Sequence, residues 1–291
     1  MSETTGQARP SKDAPRADDG YFGPDSVMWK VYADPGLQIG GIAGLLLQAL
    51  EPGMMTHFSR VTRGYQGARE LETAQYLNTS VFGDKAHAKA SAERVDRMHE
   101  AANWTDPRTG EVHRAKTGSW MRWTQYALTY TQLRATDEFG PELTAEEQDR
   151  FVAEQQIACE LLHVPGPYFQ TRAELEDYID YEKDTKALSL AAAEVGAALR
   201  NPPIKNLLTK AIVVTFENGM LSLLPDWARS LYGVGDHSEK ALAKGVAATR
   251  KIVEKARKDP STRKTIEDFV NEATEHPFAK VRAHVSAQPT P

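Results

Sequence analysis

The sequence contains a single cysteine, Cys159, among its 291 residues. One thiol cannot form an intramolecular disulfide, which excludes the disulfide-rich secreted scaffolds and fits a reducing compartment. Cys159 falls within an apolar helical pattern, where a small buried thiol is commoner than a nucleophile.

The chain also lacks an excess of positive charge and a long hydrophobic run. Its formal net charge is -5, and Lys and Arg alternate with acidic residues, so nothing indicates a nucleic-acid partner. The most apolar stretch, residues 37–50, is shorter than the roughly 20 residues that span a bilayer, and the N-terminus has no signal-peptide pattern. We therefore predict a cytoplasmic protein without a membrane span, in which residues 37–50 form a buried helix. The oligomeric state does not follow from the sequence.

Strand patterns with period-two alternation are nearly absent, whereas helix signals run from about Asp25 to the end. Capping boxes begin at Thr144 and Thr171. A further helix is predicted over residues 204–216 and another over 238–258, with Ser261 or Thr262 capping the next. The sequence therefore predicts an all-α fold, with one domain over residues 21–280 between a disordered tail (1–20) and a flexible one (281–291).

The residue that points most directly to a cofactor is His99. Asp84 is the predicted N-cap of its helix, and Ala88, Ala92, Val95 and His99 recur on one helical face. A smooth stripe with one imidazole suits the proximal side of a porphyrin. Two other interpretations compete with this one: small residues let two helices approach closely, and a histidine on an apolar face is commonly a hydrogen-bonded core residue.

Upstream, Arg69 and Thr73 share one face of a predicted helix because they are four residues apart. An Arg and a Thr hydroxyl together can hold a carboxylate or a polarised oxygen. The alternative is a solvated face, since Glu70 and Glu72 flank Arg69 and can pair with it weakly.

Glu51 lies at the edge of the most apolar segment, where a carboxylate is a candidate for proton transfer. It also fits a solvent-facing helix terminus. His57 is either a second pocket histidine or a loop residue. Signatures of other chemistries, such as a glycine-rich phosphate loop, CxxC, HExxH or GxSxG, are missing.

Several ordered motifs between Tyr21 and Tyr181 together resemble the DUF2236 family, which contains the fungal MpaB-type oxygenases and the catalytic domain of latex-clearing protein, the rubber oxygenase. These motifs are Gly23-Pro-Asp-Ser-Val-Met-Trp-Lys-Val, Leu45-Leu-Leu-Gln-Ala-Leu-Glu-Pro52, Arg69-x-x-x-Thr73, Val81-Phe-Gly-Asp84, Arg94-Val-x-x-Met-His99 and Asp106-Pro-Arg-Thr-Gly110.

The resemblance implies a globin-like all-α core that binds haem b, with His99 as the proximal iron ligand. It also implies that Arg69 and Thr73 line the haem pocket. Ala92 and Val95, on the same helical stripe as His99, are further candidate cofactor contacts. Glu51 is then a candidate distal base.

The chain departs from the family pattern at two histidine positions. Glu51 stands where family members commonly have a His before Pro, and Trp123-Thr-Gln125 stands where they have a WVHA-like segment. Of the three recurrent histidines only His99 is present. Glu72 replaces a Lys that can occupy the distal site of the rubber oxygenase, so no Lys-closed resting state is expected.

The first hypothesis is therefore a haem b-dependent oxygenase that acts with dioxygen on an apolar small molecule. Its pocket would be lined by Leu and Met side chains of the 37–50 helix and by Trp120, Trp123 and Tyr126, although these aromatics also fit an ordinary core. The alternatives are a haem-binding or haem-sensing protein without catalysis, and an all-α interaction protein that has lost the cofactor.

Overall fold

The computed structural model describes residues 16–61, 66–200, 216–233 and 239–275. Within these ranges the chain is mostly helical, with one small two-stranded sheet, so the all-α prediction is confirmed. The helices are α1 (Val27–Tyr32), α2 (Leu37–Gln48), α3 (Pro52–Val61), α4 (Gln66–Phe82), α5 (Lys85–Ala101), α6 (Gly118–Phe139), α7 (Ala145–Leu161), α8 (Arg172–Tyr181), α9 (Leu190–Arg200), α10 (Asp226–Leu231), α11 (Glu239–Lys258) and α12 (Pro260–Glu275). The strands are β1 (Asn103–Thr105) and β2 (Val112–Arg114), and a 3-10 turn covers Glu182–Thr185.

Helices α2 and α6 approach each other closely, and two glycines make this possible. A Cβ atom on Gly44 would lie 2.8 Å from Leu128 Cδ1 and 2.9 Å from Thr131 Oγ1. One at Gly40 would lie 3.0 Å from the Thr131 carbonyl oxygen. Further along, Gln48 Nε2 donates to the Thr124 carbonyl oxygen at 2.8 Å. The predicted buried helix is thus α2, and it packs along the core helix α6.

Helices α4 and α5 form a hairpin whose turn is Gly83-Asp84. Asp84 caps α5 as predicted: its Oδ1 accepts hydrogen bonds from the His87 backbone N–H at 2.7 Å and from His87 Nδ1 at 2.7 Å. Its Oδ2 accepts from the Ala17 N–H at 2.8 Å. Burial alone would raise the pKa of Asp84, but these hydrogen bonds outweigh it and hold the pKa below its ordinary value.

The capping boxes at Thr144 and Thr171 are both present and begin α7 and α8. Helix α12 begins earlier than predicted, because Asp259 rather than Ser261 or Thr262 supplies the cap. Asp259 Oδ2 accepts from the Thr262 N–H at 2.9 Å, and Pro260 occupies the first helical position.

The β hairpin was not predicted from the sequence. Each strand has three residues, which is too short for a period-two pattern to be visible. The turn carries the only local signal: Gly110 has φ +73°, and Asp106 Oδ1 accepts from the Arg108 N–H at 2.8 Å.

Part of the predicted N-terminal tail contacts the domain, since residues 16–20 are described and Arg16 lies 5.4 Å from the centre of the Trp29 ring. Residues 1–15, the predicted helix over 204–215 and the tail over 281–291 lie outside the described residues. Among the described helices, none combines the length and the apolar composition that crossing a membrane requires.

The α2 contact generates a prediction with an internal control. Gly44→Ala forces a methyl group into Leu128 and Thr131, so we expect it to lower the free energy of unfolding by about 1–3 kcal/mol. A Cβ atom on Gly41 would meet nothing within 4 Å, so Gly41→Ala should raise it by about 0.5–1 kcal/mol through helix propensity. Urea unfolding measures both, and equal effects at the two glycines would contradict the close contact.

The Asp84 cap predicts a pH dependence. Because its pKa is lowered by folding, Asp84 stabilises the protein at neutral pH, and this contribution is lost as the pH falls through the folded-state pKa. Asp84→Ala should lower the free energy of unfolding by about 1–2 kcal/mol at pH 7, and the difference should shrink below about pH 4. Asp25→Ala, at an exposed carboxylate, is the control. If the loss of unfolding free energy in Asp84→Ala stays constant down to about pH 3, this role of Asp84 is contradicted.

Candidate functional site

A pocket of about 310 Å³ opens between α3, the β hairpin and the start of α6. It is lined by Pro52, Gly53, Thr56 and His57 of α3, by Trp104 and His113 of the hairpin, and by Trp120 of α6. Gly53 is needed where α3 meets α6, because a Cβ atom there would lie 3.0 Å from Trp120 Cζ2.

Two ring pairs form most of the pocket wall. Trp104 and His113 are directly opposed across the hairpin, and their rings stack with centroids 4.9 Å apart and planes 19° apart. On the other side His57 and Trp120 have centroids 5.7 Å apart at an angle of 49°. Arg60 lies 5.0 Å from the centre of the Trp104 ring, which adds a cation–π contact.

His57 connects this pocket to the end of α5. It is 4% exposed, and its Nε2 lies 3.1 Å from the carbonyl oxygen of Ala102, the C-cap residue of α5. A carbonyl oxygen only accepts, so Nε2 carries the proton. The same oxygen accepts from the Ala115 N–H at 3.1 Å. His57 is therefore a pocket residue on a helix, which decides between the two sequence interpretations.

His99 lies in the last turn of α5, one turn before Ala102, and is half-buried. An imidazole is a common axial ligand of haem iron, and His99 is the position at which the sequence predicts one. His99 does not line the pocket described above, so a cofactor on His99 and a molecule in that pocket would occupy neighbouring places.

The stripe that leads to His99 has two different parts. Ala88 and Ala92 are almost fully buried, and Ala92 belongs to the main hydrophobic core, so both serve the close packing of α5. Val95 is half-buried and packs on that core. Val95 and His99 are therefore the less buried half of the stripe.

Arg69 and Thr73 lie on α4, which packs against α5. Arg69 and His99 are at similar distances from the turn at Gly83, roughly 21–24 Å along their helices at 1.5 Å per residue. The backbone therefore brings Arg69 to the same end of the hairpin as His99. Thr73 is exposed, so its hydroxyl is at the surface of the described structure rather than in an enclosed pocket.

Glu51 precedes α3 at the pocket rim and is held by two contacts. Its Oε1 accepts from the Gly53 N–H at 3.3 Å, and its Oε2 lies 3.0 Å from Lys186 Nζ. Glu51 is partly buried, with 16% of its side chain exposed. It thus neither faces solvent freely nor stands alone in an apolar environment, the two alternatives that the sequence suggested.

Lys186 was missed by sequence analysis, although its side chain is only 1% exposed. The ammonium group contacts Glu182 Oε2 at 2.5 Å and Thr185 Oγ1 at 2.8 Å, and lies 4.4 Å from the centre of the Trp123 ring. Its partner Glu51 is 135 positions away in the chain, so no local pattern could indicate the pair.

Several other candidates are structural. Trp123 and Tyr126 are fully buried in the core, as are Leu46 and Leu47 of α2, whereas Ile42 and Leu45 are exposed. Of the expected lining, Trp120 is the residue that lines the pocket among those described. Cys159 is buried, and burial raises the pKa of its thiol to about 11, which confirms an unreactive core cysteine. Within the described part of the chain, no group of three or more His, Cys, Asp or Glu side chains is arranged to hold a metal ion.

A comparison with protein families finds one match. The family model described as ER-bound oxygenase mpaB/B'/Rubber oxygenase, catalytic domain, matches residues 29–255. Neither the curated proteins nor the solved structures yield a match to this chain. The matched region contains the pocket, Glu51, Arg69, Thr73 and His99.

We predict that buried Lys186 and its exposed neighbour Lys183 contribute unequally to the free energy of unfolding. Lys186→Met leaves Glu51 and Glu182 beside each other without their shared cation, and we expect it to lower the free energy of unfolding by about 3 kcal/mol. Lys183→Met removes only an exposed pair with Asp180 and should change it by less than about 0.5 kcal/mol.

Urea unfolding of both variants tests this. Adding Glu51→Gln to Lys186→Met should restore part of the loss, because it removes one of the two carboxylates. Equal effects of the two lysine substitutions, or no recovery in the double variant, would argue against a buried Lys186.

Proposed function

Because this chain belongs to the family of the mpaB and rubber oxygenase catalytic domain, which is an oxygenase domain, we propose that it is a haem b-dependent oxygenase. In this proposal it acts with dioxygen on an apolar small molecule. The observation that carries the proposal is the family match itself, which spans residues 29–255 and so includes Glu51, Arg69, Thr73 and His99. When bound, haem b would supply the iron centre at which dioxygen is activated.

His99 is the residue that would hold the iron. Its half-buried ring stands in the last turn of α5, one turn after Val95. Arg69, at the same end of the hairpin, would pair with an anionic group such as a propionate. Thr73, on the same helix, would hydrogen-bond to the cofactor, to oxygen or to substrate.

Glu51 would serve as the proton-transfer group. Lys186 binds Oε2, which leaves Oε1, the oxygen beside the Gly53 N–H, as the atom that accepts or releases a proton. Gly53 lines the pocket, so Oε1 stands at the pocket rim. Lys186 acts here as a positioning residue, since it holds the carboxylate without reaching the pocket lining.

The proposal predicts that the purified protein binds haemin with a Soret band that depends on His99. His99→Gly should lose or shift this band, because the axial nitrogen is gone, and added imidazole should restore it by filling the space. His163→Asn is the matched control, since His163 is exposed and its φ of 56° suits Asn. Spectra in the ferric, ferrous and carbonyl forms are the measurement.

Each possible outcome decides against one of the hypotheses. A Soret band that is unchanged in His99→Gly would overturn His99 as the ligand, and the absence of any band after reconstitution would overturn the haem proposal in favour of a helical protein that has lost the cofactor. A ferrous form that binds carbon monoxide but never consumes oxygen with candidate substrates would favour the haem-sensing alternative.

A further inference from the structure

The walls of the pocket are made mostly of flat rings. Side chains of His57, Trp104, His113 and Trp120 come together there from three separate elements. Among the described residues, no Leu, Ile, Val or Met lines it, and its aliphatic surface comes from Pro52 and the methyl group of Thr56. A saturated or isoprenoid chain would find little matching surface here.

The rings are arranged so that a further ring can stack on them. Trp104 is already stacked on His113 with nearly parallel planes, and Trp120 lies beside His57 on the opposite wall. Only the Trp104–His113 pair is stacked, whereas the His57 and Trp120 rings are tilted by 49°. A flat molecule between the two walls would make offset or edge contacts with these rings, and such contacts stabilise an aromatic ligand beyond simple burial.

The charge and the size of the pocket narrow the ligand class. No Asp, Glu, Lys or Arg side chain of the described residues lines the pocket. Arg60 beside Trp104 and Glu51 at the rim stand outside this lining, so the pocket walls themselves carry no acidic or basic side chain. The volume of about 310 Å³ is at the lower end of small-molecule pockets, which start at about 300 Å³. One or two fused rings fit such a volume, and a porphyrin does not.

From these observations we propose that the pocket binds an uncharged, planar aromatic molecule of one or two rings, stacked on Trp104 and Trp120. The pocket adjoins the helix end that carries His99, through the contact between His57 and Ala102. That this aromatic molecule is the substrate rests on the proposed oxygenase function, whereas its binding does not.

Calorimetric titration of the full chain, without added haemin, tests the binding. The probes are 2-naphthol and its saturated counterpart decahydro-2-naphthol, which has the same carbon skeleton and hydroxyl group but no flat ring. We expect a Kd of about 1 mM or tighter for 2-naphthol and binding at least about fivefold weaker for the saturated alcohol.

Variants locate the binding. Trp104→Leu should weaken 2-naphthol binding by about fivefold or more, whereas Trp104→Phe, which keeps a flat ring, should stay within about twofold. Thr56→Phe should block binding by filling the pocket. This variant keeps all four rings, and the Thr56 hydroxyl bonds only within its own helix, to the Pro52 carbonyl oxygen. The control Tyr181→Leu removes an exposed aromatic ring outside the pocket and should change nothing.

Equal affinity for the two alcohols overturns the planar-aromatic class. Undiminished 2-naphthol binding in Thr56→Phe overturns the location, whatever Trp104→Leu does to folding. The titration contains no haemin, so the two proposals can fail separately. If the protein shows a His99-dependent Soret band but does not bind 2-naphthol, only this inference is overturned. If it binds 2-naphthol but shows no such band, only the haem proposal is overturned.

Discussion

The close approach of α2 to α6 is the constraint on which the rest of the structure depends. The two helices run antiparallel in a fixed register: Gly40 meets Thr131, Gly44 meets Leu128 and Gln48 meets Thr124. Continuing the same register brings the start of α3 to the start of α6, where Gly53 meets Trp120. The corner of the pocket formed by Gly53 and Trp120 is therefore a continuation of the α2–α6 register.

Much of the fold follows from local sequence signals, because caps and apolar periodicity are local. Thr144, Thr171 and Asp84 each begin a helix where the sequence predicts one, since a side-chain oxygen three residues before an orphan N–H satisfies it without any tertiary contact. The β hairpin was missed because three-residue strands carry no periodic signal. The pairing of α2 with α6 was not predicted either, because the sequence does not show which glycines of α2 lie against another helix.

The candidate site likewise has features that local sequence patterns predicted and features that they did not. Helical spacing correctly put Arg69 and Thr73 one turn apart on α4, and Val95 one turn before His99 on α5. It could not tell which residues of the stripe are buried: Ala92, a predicted cofactor contact, is 1% exposed and belongs to the main hydrophobic core.

The pocket and the Glu51–Lys186 pair were beyond sequence reasoning for a different reason. His57 is recognisable as a pocket residue only from its contact with Trp120. Glu51 is recognisable as a paired, partly buried carboxylate only from its contact with Lys186, which follows α8 in the chain. Both depend on contacts between segments that are far apart in the chain, and no repeat or motif links those segments. A buried ammonium group such as that of Lys186 is rare and is normally paired, as it is here with Glu51 and Glu182, and both its burial and its pairing with Glu51 become visible only in the folded structure.

The pocket walls all come from one continuous stretch of chain, residues 52–120, that begins where α2 ends. The contacts that hold α2 on α6 lie before and after this stretch, at Gly40, Gly44 and residues 124–135. Substitutions in the hairpin or in α3 can therefore reshape the pocket without altering the helix pair that supports it. Ligand preference and the α2–α6 contact can thus be altered by different sets of substitutions.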